Sequence, residues 1–352
     1  MKIRHLAAMA AVAALALGMP ALAFHDGGVA HCNGCHTMHN SPDNPADSTA
    51  GNTLLLTEST PTDVCLSCHA DHLGATWSET GDVTNPGTNY GGGQFIFLTE
   101  DNLNDGHAGA SNPILGEQAG HSIISDDKGV GADSLNTTAP GGTYNSQFMH
   151  CTSCHDPHGQ GGHFRLLYGS DYPESNAAGY EFLYTNPAPQ AEGISLFGGG
   201  ESNGNHTAYQ DGMSEWCGNC HGDYHVTDYP NTLKHPSGEV LGATEAANYN
   251  SYNGTGQPPS SDPYLAAVPF EDPSNTTSYT GMATAGTSKV MCLSCHRAHA
   301  SSAVNAGRWD FDVTFLAEDG AESGSYPIPN PYAGTAGADQ RSLCNKCHIQ
   351  DS

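Results

Sequence analysis

Apolar residues in this chain seldom recur at either spacing that builds regular structure. Neither the 3.6-residue stripe of an amphipathic helix nor the strict alternation of a strand persists over a long window. Three short exceptions interrupt a background of Gly, Pro, Asn, Ser and Thr. They are an apolar run from Leu6 to Leu17, the triplet Leu54-Leu55-Leu56, and the strand-like Gln94–Leu98. Turn signals punctuate the rest: Gly91-Gly92-Gly93, Pro140-Gly141-Gly142, Gly198-Gly199-Gly200 and Pro258-Pro259. The pattern predicts short helices, few strands and mostly irregular coil. No break in composition marks an internal boundary, so residues 24–352 are expected to form a single domain.

The first apolar run has its own explanation. Lys2 and Arg4 precede it, and Ala21-Leu22-Ala23 follows as an A-x-A cleavage site. This is the layout of an export signal, so residues 1–23 are expected to be removed. No later run approaches the ~18 apolar residues of a spanning helix. The mature chain is expected outside the cytoplasm, with no transmembrane segment.

All twelve cysteines fall into six copies of one pattern, C-x-x-C-H: Cys32, Cys35 and His36; Cys65, Cys68 and His69; Cys151, Cys154 and His155. It recurs at Cys217, Cys220 and His221; Cys292, Cys295 and His296; Cys344, Cys347 and His348. This is the attachment signature of c-type haem, in which two thiols add to the vinyl groups and the next histidine becomes the proximal iron ligand. Zinc ribbons need no histidine at a fixed next position, and a disulfide framework would not choose two-residue gaps six times. Six covalent haems are therefore expected.

That cofactor load changes the meaning of the composition. Leu, Ile, Val and Phe make up about 15% of the chain at a net charge of −27, which is the range of disordered sequences. Six large apolar porphyrins would supply the missing core. The expected fold class is a multihaem cytochrome c: mostly coil with short helices and few strands, wrapped around a linear chain of six stacked haems. The acidity argues against nucleic acid and anionic membrane as partners. Arg165, Lys234, Lys289, Arg297, Arg308, Arg341 and Lys346 lie near haem motifs; pairing with propionates is the functional reading of each and an ordinary solvated charge the alternative.

Each iron needs a ligand on its second face. Four motifs continue as C-H-x-x-H, adding His39, His72, His158 and His299, and His225 follows His221 by four. In a helical turn such a residue points to the same side as its predecessor. It cannot reach the open face of its own haem, so a neighbouring haem is its natural target. His25, His121, His150 and His235 are further candidates, followed by His31, His107, His163 and His206. Methionine is scarce, and bis-histidine ligation throughout is expected. That leaves no open iron for a substrate, so an electron carrier is expected and not an enzyme.

Several stretches resemble the filament-forming hexahaem cytochromes of the OmcS type, the outer-surface nanowires of metal-reducing bacteria. They are F-H-D-G-G-V-A-H-C-N-G-C-H-T-M-H-N-S (24–41), T-T-A-P-G-G-T-Y (137–144) and H-C-T-S-C-H-D-P-H-G (150–159). G-M-S-E-W-C (212–217), C-L-S-C-H-R-A-H-A-S (292–301) and R-S-L-C-N-K-C-H (341–348) continue the likeness. The resemblance implies alternating parallel-stacked and T-shaped haems and head-to-tail polymerisation. It also implies that His39 leaves its own subunit for the haem of His296 in the adjacent one. His25, His121, His150, His158, His225, His235 and His299 match histidines of the family pattern, while His72 departs from its spacing. Expected partners are other copies of the chain, envelope donor cytochromes, and extracellular metal oxides or other cells as acceptors. A monomeric periplasmic or surface shuttle is the alternative. A multihaem reductase is a third reading, though no motif has the lysine that often replaces the motif histidine in such enzymes.

Overall fold

The computed structural model of the chain describes residues 32–37, 55–70, 76–77, 91–99, 116–159, 163–170, 174–177, 180–194, 204–224, 237–251, 263–275, 281–311 and 343–348. The expected signal segment lies outside them, as do Leu54, Lys234, Arg341, His25, His31, His39, His72, His107, His225 and His235.

Coil dominates the described residues. The helices are α1 (Pro61–His69), α2 (Gly116–Ala119), α3 (Met213–Cys217) and α4 (Ala243–Ser251). Two antiparallel ribbons supply the strands. In the first, β1 (Glu174–Ala177) pairs with β2 (Tyr180–Leu183); in the second, β3 (Gln190–Glu192) pairs with β4 (Ala208–Asp211) across a bulge at Gln190/Ala191. Gln94–Leu98 is not a strand: Phe95–Leu98 forms a 3-10 turn with Phe95, Phe97 and Leu98 buried. Its residues are apolar nearly throughout, so tertiary burial decides the backbone where so short a run cannot.

Every haem motif carries a helical turn, as expected. At the second motif that turn is the end of α1, whose start has clear local causes. Thr60 has extended backbone angles and its hydroxyl accepts the Asp63 N–H at 3.1 Å, while Pro61 fills the first helical position. Turns of three or four residues serve the others, at Cys32–Gly34, Cys151–Ser153, Cys292–Ser294 and Leu343–Lys346; α3 leads into the fourth motif.

Among the described residues, the odd-numbered motifs share a clasp that does not recur at the even ones. Antiparallel bridges join His36 to Leu56, His155 to Leu167 and His296 to Gly307. The same two hydrogen bonds flank each bridge. Thr37 N–H donates to Leu55 O and Thr57 N–H to Cys35 O (2.6 and 2.9 Å); Asp156 to Leu166 and Tyr168 to Cys154 (2.7 and 3.0 Å); Arg297 to Ala306 and Arg308 to Cys295 (both 2.7 Å). The strap reaches the bridge through left-handed backbone at Leu55, at Arg165 and Leu166, and at Asn305 and Ala306. Five non-glycine residues among those described have positive φ, which is costly, and all five fall in these three straps, marking one structural unit used three times.

Apolar residues do assemble cores, which corrects the expectation that porphyrins alone would form one. Leu66, Trp77, Phe95, Phe97, Ile123, Tyr144 and Met149 belong to one cluster. Leu241, Tyr249, Tyr264, Phe270, Trp309 and Leu343 belong to a second, and Tyr209, Met213, Met291 and Leu293 form a third. Aromatic rings bury roughly 150–250 Å² each, so few residues suffice. Haem-motif cysteines border all three: Cys151 and Cys220 the first, Cys295 and Cys347 the second, Cys217 the third.

The clasp is testable at Asn305, an exposed residue with φ of 59° whose carbonyl accepts the His296 Nδ1–H. Asn305→Val places a β-branched side chain in left-handed backbone and should cost roughly 1–2 kcal/mol, read as a lower midpoint in chemical denaturation. Asn305→Gly should leave the midpoint unchanged or slightly raised.

Candidate haem-binding site

Each described motif turn is pinned from outside. Ser153 Oγ accepts the His150 N–H at 2.9 Å and donates to Phe148 O, and Tyr144 Oη donates to it at 2.7 Å. Ser294 repeats the arrangement, accepting from Met291 N–H at 3.1 Å and donating to Pro269 O at 2.5 Å. At the fourth motif a close backbone approach serves instead. A Cβ on Gly142 would lie 1.5 Å from Cys220 O, so only glycine lets the Pro140–Gly142 turn reach the motif. There Pro140 O accepts the His221 Nδ1–H at 2.8 Å, and Gly141 O accepts the Asp223 N–H at 2.7 Å.

The imidazoles share a tautomer. His155, His221 and His296 give Nδ1–H to the carbonyls of Arg165, Pro140 and Asn305 at 2.7, 2.8 and 2.9 Å. His121 does the same to Ala298 O at 2.8 Å. A carbonyl can only accept, so in the neutral ring the lone pair is on Nε2. This is the form in which histidine ligates a metal, oriented by its outer hydrogen bond. Sequence reasoning placed His163 and His206 in a second rank, yet they follow the same rule, to Leu167 O at 2.8 Å and Thr207 O at 3.0 Å. Burial lowers His221 and His296, and it pushes His121 down to about 4, keeping these rings neutral.

Two expected ligands face proximal histidines of other motifs. His158, from the third motif, stacks opposite His36 of the first, with ring centroids 6.3 Å apart and planes within 13°. His121 faces His221 of the fourth at 6.0 Å and 44°. Those gaps are too wide for ring contact and fit one iron bonded at about 2 Å to a nitrogen of each ring. His299, from the fifth motif, lies beside the third. Burial first, then His155 and His121, push it down to about 3. Its ring stacks on Phe95 and packs over Gly92, where a Cβ would come within 3.2 Å. His150 sits against α1, its Nδ1 3.2 Å from Thr62 Oγ1.

The thiols place the motifs in sequence order. Burial, then Cys65 and Cys68, raises Cys35. Cys151 is raised first by its hydrogen bond with Cys65, and Cys217 first by its bond with Cys292. Burial, then Cys154, raises Cys220; burial, then Cys344 and Cys347, raises Cys295. Two kinds of junction therefore alternate. Leading thiols touch between the second and third motifs and between the fourth and fifth. At the other three junctions the trailing thiol of the odd motif faces its successor. No cluster of three or more metal-binding side chains occurs among the described residues. No helix among them is long and apolar enough to cross a membrane.

C-type cytochrome OmcS of Geobacter sulfurreducens is 34% identical to the chain over 97% of this chain and 98% of its own length. The chain belongs to the OmcS family of c-type cytochromes. Two cryo-EM structures, titled as OmcS nanowires from Geobacter sulfurreducens and as the outer membrane cytochrome S filament of that organism, superpose with a TM-score of 0.72. They show 31% identity and cover 93% of this chain and all of theirs. No protein-family profile matches. The family's c-type cytochrome character agrees with the residues here: thiols, neutral imidazoles and facing ring pairs all fit haem.

One buried group between the fourth and fifth motifs escaped sequence reasoning, because a lone Glu carries no spacing signal. Glu271 is 0% exposed; Oε1 accepts the Met213 N–H at 2.5 Å, and Oε2 has no hydrogen-bond partner among the described residues. Burial pushes its carboxyl up to about 7. The Met213 bond opposes this, Glu215 and Asp211 add to it, and Lys289 pulls back. A folded-state pKa above the ordinary 4.5 means the folded protein holds the proton more tightly. The stability Glu271 contributes is complete below about pH 4.5 and lost as pH rises through about 7, on the order of 3 kcal/mol in all. Glu271→Gln should remove that part of the decline, leaving the variant more stable than the parent at pH 8. Paired thermal-unfolding profiles from pH 5 to pH 8 provide the check.

Proposed function

We propose that residues 24–352 form one hexahaem unit, exported after loss of residues 1–23, that polymerises head to tail and conducts electrons along its haems to extracellular acceptors. The observation carrying this reading is that the third motif's histidine three residues on, His158, faces the first motif's His36 at 6.3 Å. Each haem would supply one iron cycling between ferric and ferrous states. Cysteines of each motif would hold it covalently, and His36, His69, His155, His221, His296 and His348 would be its proximal ligands.

The second ligands follow from the repeated unit. His158 reaches back two motifs to the haem of His36, and His299, beside His155, would do the same for the third. The corresponding residue of the first motif is His39. Two motifs back from the first, no haem remains in the same chain. The continuation of the series is the fifth motif of an adjacent copy, so His39 would ligate the haem of His296 across the subunit boundary. A contact of this kind does not close on itself and builds an open fibre. His121 would serve the haem of His221. The haems of His69 and His348 would draw on His25, His72, His150, His225 and His235.

The surrounding protein would act by fixing the tautomer of these rings, with the Nδ1–H of His155, His221, His296 and His121 given to backbone carbonyls. The lone pair on Nε2 would then stay available to the iron. Bis-histidine ligation also leaves no position for a substrate, which makes the chain a carrier. Envelope cytochromes would be donors, and metal oxides or other cells acceptors.

Two variants test the pairing. His158→Ala should convert one of the six haems to a high-spin, carbon-monoxide-binding state while the haem count stays at six; a wholly low-spin spectrum would contradict the assignment. His39→Ala should sediment as a monomer with six haems and give no fibres by electron microscopy. Intact fibres from that variant would remove the intersubunit ligand from the account.

A further inference from the structure

Two buried charges of opposite sign sit on different haem-motif turns. Asp63 is 2% exposed in α1, two residues before Cys65. Its carboxylate accepts Thr60 Oγ1 at 2.8 Å, Ser59 Oγ at 3.0 Å, and the N–H groups of Asp126 and Asp127 at 3.3 and 3.4 Å; Ser125 Oγ donates to it as well. None of these donors is a cation.

Arg308 is the opposite case, 1% exposed and threaded through the fifth motif. Its backbone N–H donates to Cys295 O at 2.7 Å, and its Nε to Leu293 O at 2.6 Å and His296 O at 3.2 Å. The remaining guanidinium nitrogens reach Ala266 O at 3.2 Å and Gly91 O at 3.4 Å. Every acceptor is a neutral carbonyl, and no carboxylate among the described residues pairs with it. The guanidinium is a permanent cation, and a charge balanced only by dipoles is costly to bury. Salt in solution screens it far less than it would a surface charge.

The charge of the whole chain leans the same way. Six of the eight Lys and Arg beyond residue 23 lie at or after Lys234, whereas 25 of the 37 Asp and Glu precede it. At the sixth motif, Lys346 is 2% exposed, with Nζ donating to Tyr249 O and Pro263 O, both at 2.7 Å.

We propose that Asp63 and Arg308 grade the reduction potentials along the chain, making the haem on Cys65–His69 harder to reduce and the haem on Cys292–His296 easier. This rests on the hexahaem reading above. In each transfer an electron leaves a ferrous haem and reduces its ferric neighbour; no bond forms or breaks and no proton is required. The incoming electron is a unit negative charge, which Asp63 repels and Arg308 attracts. Removing the guanidinium from beside a haem carboxylate has the same sign as removing it from beside the iron.

The test is an optical redox titration of the purified haem-loaded protein, with haems per chain counted in parallel. In Arg308→Met the most easily reduced component should move down by at least a tenfold change in its oxidised-to-reduced ratio, about 59 mV for one electron. Arg308→Lys should keep that component, because the charge remains. In Asp63→Asn the hardest-to-reduce component should move up. Six haems with an unmoved profile in Arg308→Met or Asp63→Asn would overturn the proposal, as would loss of the component in Arg308→Lys. Should Arg308→Met fail to load haem, Asp63→Asn and Arg308→Lys decide alone. A parent protein carrying fewer than six haems would contradict the hexahaem reading instead.

Discussion

A histidine three residues beyond a haem-binding turn stands on the same side of the chain as the histidine that ends the turn. That constraint forces it away from its own cofactor, and much of this molecule follows from where it goes. Its ring must project toward another motif, so neighbouring motifs must lie close and in a fixed order. Alternating thiol contacts supply that order, from Cys35 beside Cys65 and Cys68 to Cys295 beside Cys344 and Cys347. The straps at Leu55, Arg165–Leu166 and Asn305–Ala306 then hold the odd motifs in one shared backbone arrangement. Strained backbone recurs at the same step three times, which fits a requirement for orientation more than for stability. Regular secondary structure is nearly dispensable to such a plan, and the chain uses little of it.

The chemistry was far more legible in the sequence than the packing. C-x-x-C-H is a local pattern with a covalent meaning, and a histidine three residues on has a direction that helical geometry predicts without knowing the fold. Those two facts send His158 toward another motif, but only the structure shows that the motif is that of His36, two before its own. That His121 faces His221 follows from neither fact: one hundred residues separate them, and no local spacing links them. The clasps were invisible for a related reason. Leu55, Arg165, Leu166 and Ala306 are residue types that seldom adopt left-handed backbone, so nothing in their identity announces it. Gln94–Leu98 misled because a short apolar run serves equally well as a strand or as a buried turn. The composition misled as well: a count of aliphatic residues understated what Trp77, Tyr144, Tyr249, Tyr264 and Trp309 contribute to burial.

Electrostatics gives the repeated units individual character. The same turn occurs beside a buried carboxylate at Asp63, a buried cation at Arg308 and a buried carboxyl at Glu271, one oxygen of which has no hydrogen-bond partner among the described residues. Identical covalent attachment would by itself give haems of similar potential. Surroundings of different charge would give the haems different potentials, and head-to-tail assembly would repeat that profile at every copy.

Cryo-electron microscopy of the haem-loaded, assembled protein tests the central claim most directly, because iron is the densest feature in such a map. The account predicts iron between the rings of His36 and His158, iron between His221 and His121, and the haem of His296 ligated by His39 of an adjacent copy. A map in which His39 ligates a haem of its own chain, or in which the His36–His158 pair holds no iron, would contradict it.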